Sequence, residues 1–204
     1  MTEPLVAHRR QLREDIRQRR RDLGPVQRIA GANTIAERLL ALPFAPQQGH
    51  VAGYWAMDGE IALHAWQLNL PSSCTYCLPV LNGEQLAFAP WRPGDPLGSN
   101  RYGIPEPAAT PATLLRPQDM ALVVAPLVAF DASGARLGMG GGWYDRSFAF
   151  RRNGPAPPWL VGVGFELQRL DCLQAAEWDV PMDAVCTDTR TYDMTRQTSN
   201  KDAP

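Results

Sequence analysis

The chain has 204 residues and a nearly balanced charge, with 20 basic and 21 acidic side chains and a formal net charge of -1. Hydrophobic residues make up 45% and charged residues 20%, a globular composition that excludes a wholly disordered chain. No apolar run reaches the about 18 residues of a membrane span, and residues 1–15 lack the apolar core of a secretory signal. We therefore expect a cytoplasmic protein.

Two helices are predicted at the start of the chain, over residues 4–22 and 25–42. An apolar stripe on the first helix is bordered by Arg9, Arg13 and Arg20. Residues 1–22 contain 7 Arg and 4 acidic side chains, so this segment carries a net charge of +3 and favours an anionic partner. The apolar side of the second helix is expected to consist of Val26, Ile29, Ala36, Leu39 and Leu40.

Short apolar runs separated by helical or turn-rich segments follow. We predict strands over residues 50–55, 75–80, 86–89, 120–125 and 159–165, and a helix over 61–70. Strands that are apolar throughout indicate a largely parallel sheet covered on both faces. Residues 90–117 read as a long Pro- and Gly-rich surface excursion, and residues 189–204 as a polar tail. Cys74 and Cys77 form a CxxC that leads into a strand and has no second pair of ligands, so we interpret it as incidental.

A glycine-rich segment follows the strand over residues 120–125, with four glycines among residues 138–142. Such a loop between a strand and a helix can direct backbone N–H groups at an anion. Arg136 and Arg146 bracket the loop and can neutralise phosphate charge, and Asp145 can hold Mg²⁺ beside it. The spacing matches neither GxxxxGK[ST] nor GxGxxG, and a glycine turn that merely packs tightly is the alternative.

Residues 136–146, RLGMGGGWYDR, closely resemble the signature of the 5-formyltetrahydrofolate cyclo-ligase (methenyltetrahydrofolate synthetase) family. Four further segments resemble that family in the same order along the chain: residues 9–13, 55–61, 102–107 and 177–185. The resemblance implies an α/β, three-layer fold with a largely parallel central sheet and an N-terminal helical pair packed on it. It also implies one ATP- and folate-binding catalytic domain over residues 1–188. The implied reaction is the ATP-dependent closure of 5-formyltetrahydrofolate to 5,10-methenyltetrahydrofolate, with ATP and Mg²⁺ as cofactors.

Site residues are carried over from the resemblance position by position. The implied ATP-binding residues are Arg9, Arg10, Gln11, Leu12, Arg13, Arg136, Leu137, Gly138, Met139, Gly140, Gly141, Gly142, Trp143 and Tyr144. The implied substrate-binding residues are Trp55, Glu60, Met139, Gly140, Gly141, Gly142 and Trp143, and the implied metal ligands are Asp145 and Asp183. The family usually has Lys where this chain has Arg9, and Tyr or Phe where it has Trp143.

Several alternatives remain open at this point. Glu60 follows an Asp-Gly turn and could simply open a helix, and Trp55 at a strand end could belong to the core. The basic first helix could bind a nucleic acid, although the net charge of the whole chain argues against it. A homologue that binds folate or nucleotide without turnover is also consistent with the motifs. We expect a small-molecule folate substrate, no nucleic-acid or membrane partner, and a monomer.

Overall fold

Residues 3–195 are described by the structure, a computed structural model of the chain, so most of the predicted polar tail lies outside the described residues. The helices are α1 (Glu3–Arg21), α2 (Pro25–Leu40), α3 (His64–Leu68) and α4 (Trp143–Ser147). The strands are β1 (Gly49–Ala52), β2 (Cys74–Asn82), β3 (Gln85–Pro90), β4 (Leu97–Ser99), β5 (Pro105–Pro107), β6 (Met120–Pro126), β7 (Ala129–Phe130), β8 (Arg136–Leu137), β9 (Trp159–Gly164), β10 (Ala184–Thr187) and β11 (Thr191–Asp193).

Seven strands form the central sheet in the order β11-β10-β9-β6-β1-β2-β3. The five inner strands are parallel, and the two edge strands β3 and β11 pair antiparallel with their neighbours. The apolar strand at 120–125 lies near the middle of this sheet, where both of its faces are buried. The prediction of a largely parallel, covered sheet is therefore confirmed.

The sheet separates two hydrophobic cores. One contains Ile35 and Leu39 of α2 with Trp66 of α3, and the other contains Phe130 and Phe148. This arrangement confirms the expected three-layer α/β fold. Helix α2 packs beside β10, whereas α1 lies along loops that follow the strands, where its buried Arg20 reaches the backbone oxygen of Leu127.

The apolar side predicted for α2 is wrong at its first turns, because Val26 is 80% and Ile29 is 65% exposed. The buried side is set by residues spaced four apart, Gly31, Ile35 and Leu39. At 100° per residue, Val26 lies about 140° around the helix from Leu39, so it cannot share that face.

Other elements also differ from their predictions. The strand predicted to reach residue 55 ends at Ala52, and the next residue, Gly53, packs so closely on Tyr76 that a side chain there would collide with the hydroxyl. The helix predicted over 61–70 spans only His64–Leu68. Strands β10 and β11 were not predicted, and β11 lies within the segment expected to be a polar tail.

Cys74 and Cys77 lie three residues apart in β2 and pack in opposite cores, as a strand requires. All four cysteines are free thiols. Among the described residues, no helix has the length and apolar character needed to cross a membrane.

Candidate active site

A cavity of about 820 Å³ opens at the carboxyl ends of the parallel strands, where ligands bind in open α/β sheets. Strand β1 leads to Tyr54 and Trp55 in its wall, and β6 ends there at Pro126. Helix α1, the glycine-rich segment and the loop between β1 and α3 contribute the charged side chains. The cavity therefore draws on all five segments that sequence analysis had singled out, and segment 177–185 contributes Trp178 and Asp179.

The glycine-rich segment forms one wall of the cavity. Every residue assigned to it from sequence lines the space: Arg136, Leu137, Gly138, Met139, Gly140, Gly141, Gly142, Trp143 and Tyr144. Gly140 at φ 98° and Gly142 at φ 64° adopt backbone conformations that L side chains rarely take. A backbone that turns in this way can direct successive N–H groups toward one anion. The following helix α4 has only five residues, so an anion bound here would be held by the N–H groups of the loop more than by a helix dipole.

Helix α1 contributes two arginines to the cavity. Arg9 and Arg13 line it, and the Arg13 Nε donates to the Gly138 carbonyl oxygen at 2.8 Å, which joins the helix to the glycine loop. Burial, and then the neighbouring charge of Arg9, lower the pKa of Arg13. An anion bound between these arginines would relieve that repulsion.

The three residues between these arginines do not reach the cavity, although they were assigned to ATP. Arg10 pairs with Glu14 at 3.2 Å, and Gln11 donates to Asp15 at 2.9 Å, on the exposed side of the helix. Leu12 is half-buried and does not line the cavity. Helical periodicity explains the difference, because positions four apart share a face and the intervening positions do not.

Glu60 lies in the cavity wall and outside any helix, since α3 begins only at His64. This position removes the alternative that Glu60 opens a helix. Its Oε2 accepts the Met57 backbone N–H at 2.9 Å, and its Oε1 lies 4.0 Å from the buried Arg20 guanidinium. Burial raises the pKa of the Glu60 carboxyl, against the opposing effects of the Met57 N–H and the Arg20 charge.

Trp55 stands in the cavity wall beside Glu60 and also packs against the core. Its ring meets Trp91 edge-on at 5.8 Å and His64 edge-on at 6.4 Å between ring centroids. The neighbouring Tyr54 is buried and donates its hydroxyl to the Ile61 carbonyl at 2.7 Å. An aromatic wall held in this way offers a rigid apolar face to a planar ring.

The two predicted metal ligands are placed differently. Asp145 lines the cavity, and its Oδ1 accepts from the Arg136 guanidinium and from the Val180 N–H. Asp183 does not line the cavity, and its carboxylate accepts from Arg151 at 2.8 and 2.9 Å and from the Leu160 N–H at 2.7 Å. Within residues 3–195, no group of three or more His, Cys, Asp or Glu side chains could hold a metal ion. The structure therefore does not bring Asp183 to the site that Asp145 borders.

Sequence analysis missed the role of Asp58. Its carboxylate accepts hydrogen bonds from three guanidinium groups of α1, those of Arg17, Arg20 and Arg21. The available signal was the excess of arginine on the first helix, which needs an anion, together with an acidic residue in the Asp58-Gly59 turn. Only the fold shows that this turn meets the helix.

The β4–β5 hairpin, within the segment predicted as a surface excursion, also borders the cavity. Glu106 anchors it by accepting from the Leu81 N–H and the Asn100 amide, each at 3.2 Å. At its tip, Tyr102 meets Trp143 edge-on at 6.2 Å between ring centroids. The hairpin thus joins the rim of the cavity to the glycine loop.

The fold and the cavity together define an α/β protein with a ligand-sized cleft at the carboxyl edge of a parallel sheet. A model of the 5-formyltetrahydrofolate cyclo-ligase family matches residues 6–188. The chain belongs to this family, as the resemblance of residues 136–146 had indicated, and is thus a ligase of folate one-carbon metabolism by class.

Curated relatives agree with the family. The chain is 34% identical over 179 residues to a 5-formyltetrahydrofolate cyclo-ligase of Haemophilus influenzae, covering 85% of this chain and 94% of that protein. It is 34% identical over 183 residues to the protein of the same name in Escherichia coli K12, covering 87% and 99%.

Solved structures support the same conclusion. The NMR structure of Aquifex aeolicus 5,10-methenyltetrahydrofolate synthetase has a TM-score of 0.76 and 28% identity, covering 91% of this chain and 92% of that one. A 5,10-methenyltetrahydrofolate synthetase from Mycoplasma pneumoniae, at 23% identity and a TM-score of 0.65, shares the fold.

Proposed function

We propose that this chain closes 5-formyltetrahydrofolate to 5,10-methenyltetrahydrofolate at the expense of ATP, with release of ADP and phosphate. The observation that carries the proposal is the single cavity in which the glycine loop and two arginines of α1 stand together with the buried Glu60 carboxylate. A phosphate-bearing ligand and a ring with N–H donors can be held there side by side. Membership of the 5-formyltetrahydrofolate cyclo-ligase family supports the folate as one ligand, and ATP is proposed as the other.

The reaction needs activation because a formamide oxygen is a poor leaving group. Attack of the formyl oxygen on the γ-phosphorus of ATP forms an O–P bond, breaks the bond to the bridging oxygen and releases ADP. The 10-nitrogen then attacks the formyl carbon and loses its proton, and phosphate departs with the former formyl oxygen. Little covalent work falls to side chains in such a sequence, so positioning and charge stabilisation dominate.

The nucleotide is assigned to the glycine loop and α1. Arg9 and Arg13 would contact its phosphates, since both guanidinium groups reach the cavity and Arg13 is already fixed to Gly138. Arg136 is held by Asp145 and by the Val180 carbonyl, so its charge stays beside the loop. These groups would neutralise the charge that accumulates as the phosphoryl group transfers.

The folate ring is assigned to Glu60 and Trp55. A carboxylate accepts two bonds from the amino and ring N–H groups of a tetrahydropterin, and an aromatic wall excludes water from the reacting centre. The apolar Trp55 face and the Glu60 carboxylate line the same cavity. This arrangement would hold the formyl group next to the phosphates.

Magnesium fits this site in part. Mg²⁺ in such enzymes is typically held by one or two carboxylates and by substrate phosphates, where it neutralises phosphate charge. Asp145 satisfies the first requirement, because the hydrogen bonds it accepts involve Oδ1, and Oδ2 remains for a cation. Asp183 would have to leave Arg151 to take part, so we propose Asp145 as the protein ligand.

A nucleic-acid-binding function is less well supported by the contacts of α1. Arg17, Arg20 and Arg21 share Asp58, Arg10 pairs with Glu14, and other arginines reach the cavity. Salt-dependent RNA binding would count for that function. We further propose that the protein is cytoplasmic and that it is a monomer. Sedimentation of the purified protein tests the oligomeric state.

The proposed activity is tested by following methenyl product spectrophotometrically from 5-formyltetrahydrofolate with and without MgATP. Product that forms only with MgATP is the expected result. Tight binding of both ligands without any change in absorbance would instead identify a non-catalytic homologue.

A further inference from the structure

Residues 57–60 form a turn, here called the Asp58 turn, that is fastened to the C-terminal half of α1. Asp58 Oδ2 accepts from Arg17 at 2.6 Å and from Arg20 at 3.1 Å, and its Oδ1 accepts from Arg21 at 2.8 Å. Burial by itself would raise the pKa of Asp58, but the hydrogen bonds from Arg17 and Arg21 and the charges of Arg17 and Arg20 lower it overall. The carboxylate therefore stays ionised and holds all three guanidinium groups.

The Asp58 turn determines where the Glu60 carboxylate stands. The Glu60 N–H donates to the Met57 carbonyl at 2.9 Å, and the Met57 N–H donates back to the Glu60 Oε2 at 2.9 Å. Arg20 donates to the Asp58 carbonyl at 3.1 Å and lies 4.0 Å from Glu60 Oε1. Arg20 is 1% exposed, so packing sets its position, and its bonds to the Asp58 carbonyl and carboxylate join the turn to α1.

The N-terminal half of α1 contacts other parts of the cavity wall. Arg13 is bonded to the glycine loop at Gly138, and Arg9 lies 3.6 Å from Asp179. Arg9 and Arg20 are separated by about 16 Å along one continuous helix at 1.5 Å per residue. A single rigid element thus spans the groups assigned to phosphate and the turn that carries the group assigned to the pterin.

We propose that Asp58 is a positioning residue that fixes Glu60 to α1 and thereby couples occupancy of the nucleotide end of the cavity to affinity for the folate ring. This coupling rests on the proposed function, because that function supplies the two ligands, ATP and the folate. An anion bound between Arg9 and Arg13 draws the first half of α1 against the glycine loop. Through Asp58 the same helix then holds Glu60 in its accepting position. The folate therefore loses less binding free energy to ordering Glu60 when the nucleotide is already bound.

The test is Asp58→Asn in the full chain. Asp58 has φ 51°, a conformation that Asn tolerates, so the substitution removes the charge without adding backbone strain. Affinity for 5-formyltetrahydrofolate is measured with and without a non-hydrolysable ATP analogue, and affinity for the analogue with and without the folate. Coupling between two sites is reciprocal, so each ligand should raise the affinity of the other by the same factor, which we expect to be about threefold or more in the parent protein.

In Asp58→Asn we expect folate affinity to fall about fivefold or more and the coupling factor to approach one, with analogue affinity in the absence of folate within about twofold of the parent. Asp119→Asn is the matched control, since Asp119 also pairs with an arginine but lies away from the cavity. Arg21→Ala removes one of the three donors and should give an intermediate loss. It serves as the second variant if Asp58→Asn does not fold.

Three results would overturn the inference. They are an unchanged coupling factor in the variants, a parent protein that shows no coupling, and a parallel loss of both affinities together with the melting temperature, which indicates a purely structural role. A parent protein that fails to bind 5-formyltetrahydrofolate at all would overturn the proposed function instead.

Discussion

Glu60 combines burial, a raised pKa and a place in the cavity wall, which is the combination expected of a ligand-binding carboxylate. Glu60→Gln replaces an acceptor with a group that presents donors to the donors of the pterin. We expect folate affinity to fall at least about tenfold, or 1.4 kcal/mol, while ATP affinity hardly changes. Titrating each ligand separately measures this, with the exposed Glu37→Gln as the matched control. Parallel losses of both affinities would remove Glu60 from the pterin site.

The raised pKa of Glu60 also predicts a pH dependence. Protonation removes the acceptor, so folate affinity should fall as the pH is lowered through the raised pKa, at a higher pH than for an ordinary glutamate. Ionisation of a buried acid costs stability above its folded-state pKa, so Glu60→Gln should keep or raise the melting temperature at neutral pH. In the Glu60→Gln variant, folate affinity should not change with pH over the same range.

Asp145 and Asp183 can be separated by their dependence on Mg²⁺. Asp145→Asn should lower activity most at limiting Mg²⁺, because Asp145 borders the glycine loop. Asp183→Asn should lower the free energy of unfolding, by about 1–3 kcal/mol, because it weakens buried bonds to Arg151 and Leu160, and should leave the Mg²⁺ dependence unchanged. The same shift in Mg²⁺ dependence for both variants would show that the two carboxylates share the metal.

At the scale of elements, α1 presents cavity-lining and solvated arginines on different faces. Arg13→Ala should raise the apparent KM for ATP about tenfold or more, because it removes a charge-assisted contact at the glycine loop. Arg10→Ala is the matched control and should stay near the parent value, since Arg10 points to solvent and contacts Glu14. Arg21, which is bonded to Asp58, is unsuitable for that purpose. Equal effects of Arg13→Ala and Arg10→Ala would indicate a diffuse surface charge.

The glycine loop depends on a backbone conformation at Gly140 that alanine resists. Gly140→Ala should cost about 1 kcal/mol of stability, because φ is 98° there, and should also weaken ATP binding, because the strained backbone redirects the N–H groups of the loop. Gly94→Ala is matched to it, with φ 99° against 98°, but lies in open space outside the cavity. The control should lose similar stability and keep its apparent KM for ATP. A Gly140→Ala variant with unchanged KM would argue that the loop only packs.

The sequence predicts elements best where a local pattern decides them. The parallel sheet follows from strands that are apolar throughout, and the glycine loop from its composition. The bounds of α3 and the exposed start of α2 were predicted less well, because tertiary packing sets them. Strands β10 and β11 are three or four residues long, too short for periodicity to identify.

Contacts between segments that are distant along the chain could not be predicted from the sequence. Nothing in the local pattern connects Asp58 with Arg17, 41 positions away, or Asp183 with Arg151. The family resemblance supplied candidates such as Arg10 and Asp183 by position, and only the folded geometry shows that they do not line the cavity. Residue types and spacing thus identify the segments that form the cavity. The three-dimensional fold is needed to show which side chains of those segments contact one another.

At the scale of the whole molecule, we propose that the cavity brings the formyl oxygen of the folate to the γ-phosphorus of ATP. The most direct measurement uses 5-formyltetrahydrofolate labelled with oxygen-18 in the formyl group, with MgATP and the purified protein, and determines the isotope content of the released phosphate. We expect one labelled oxygen in each phosphate, with ADP and methenyl product formed in equal amounts. Methenyl product accompanied by unlabelled phosphate, or formed without ATP, would contradict it.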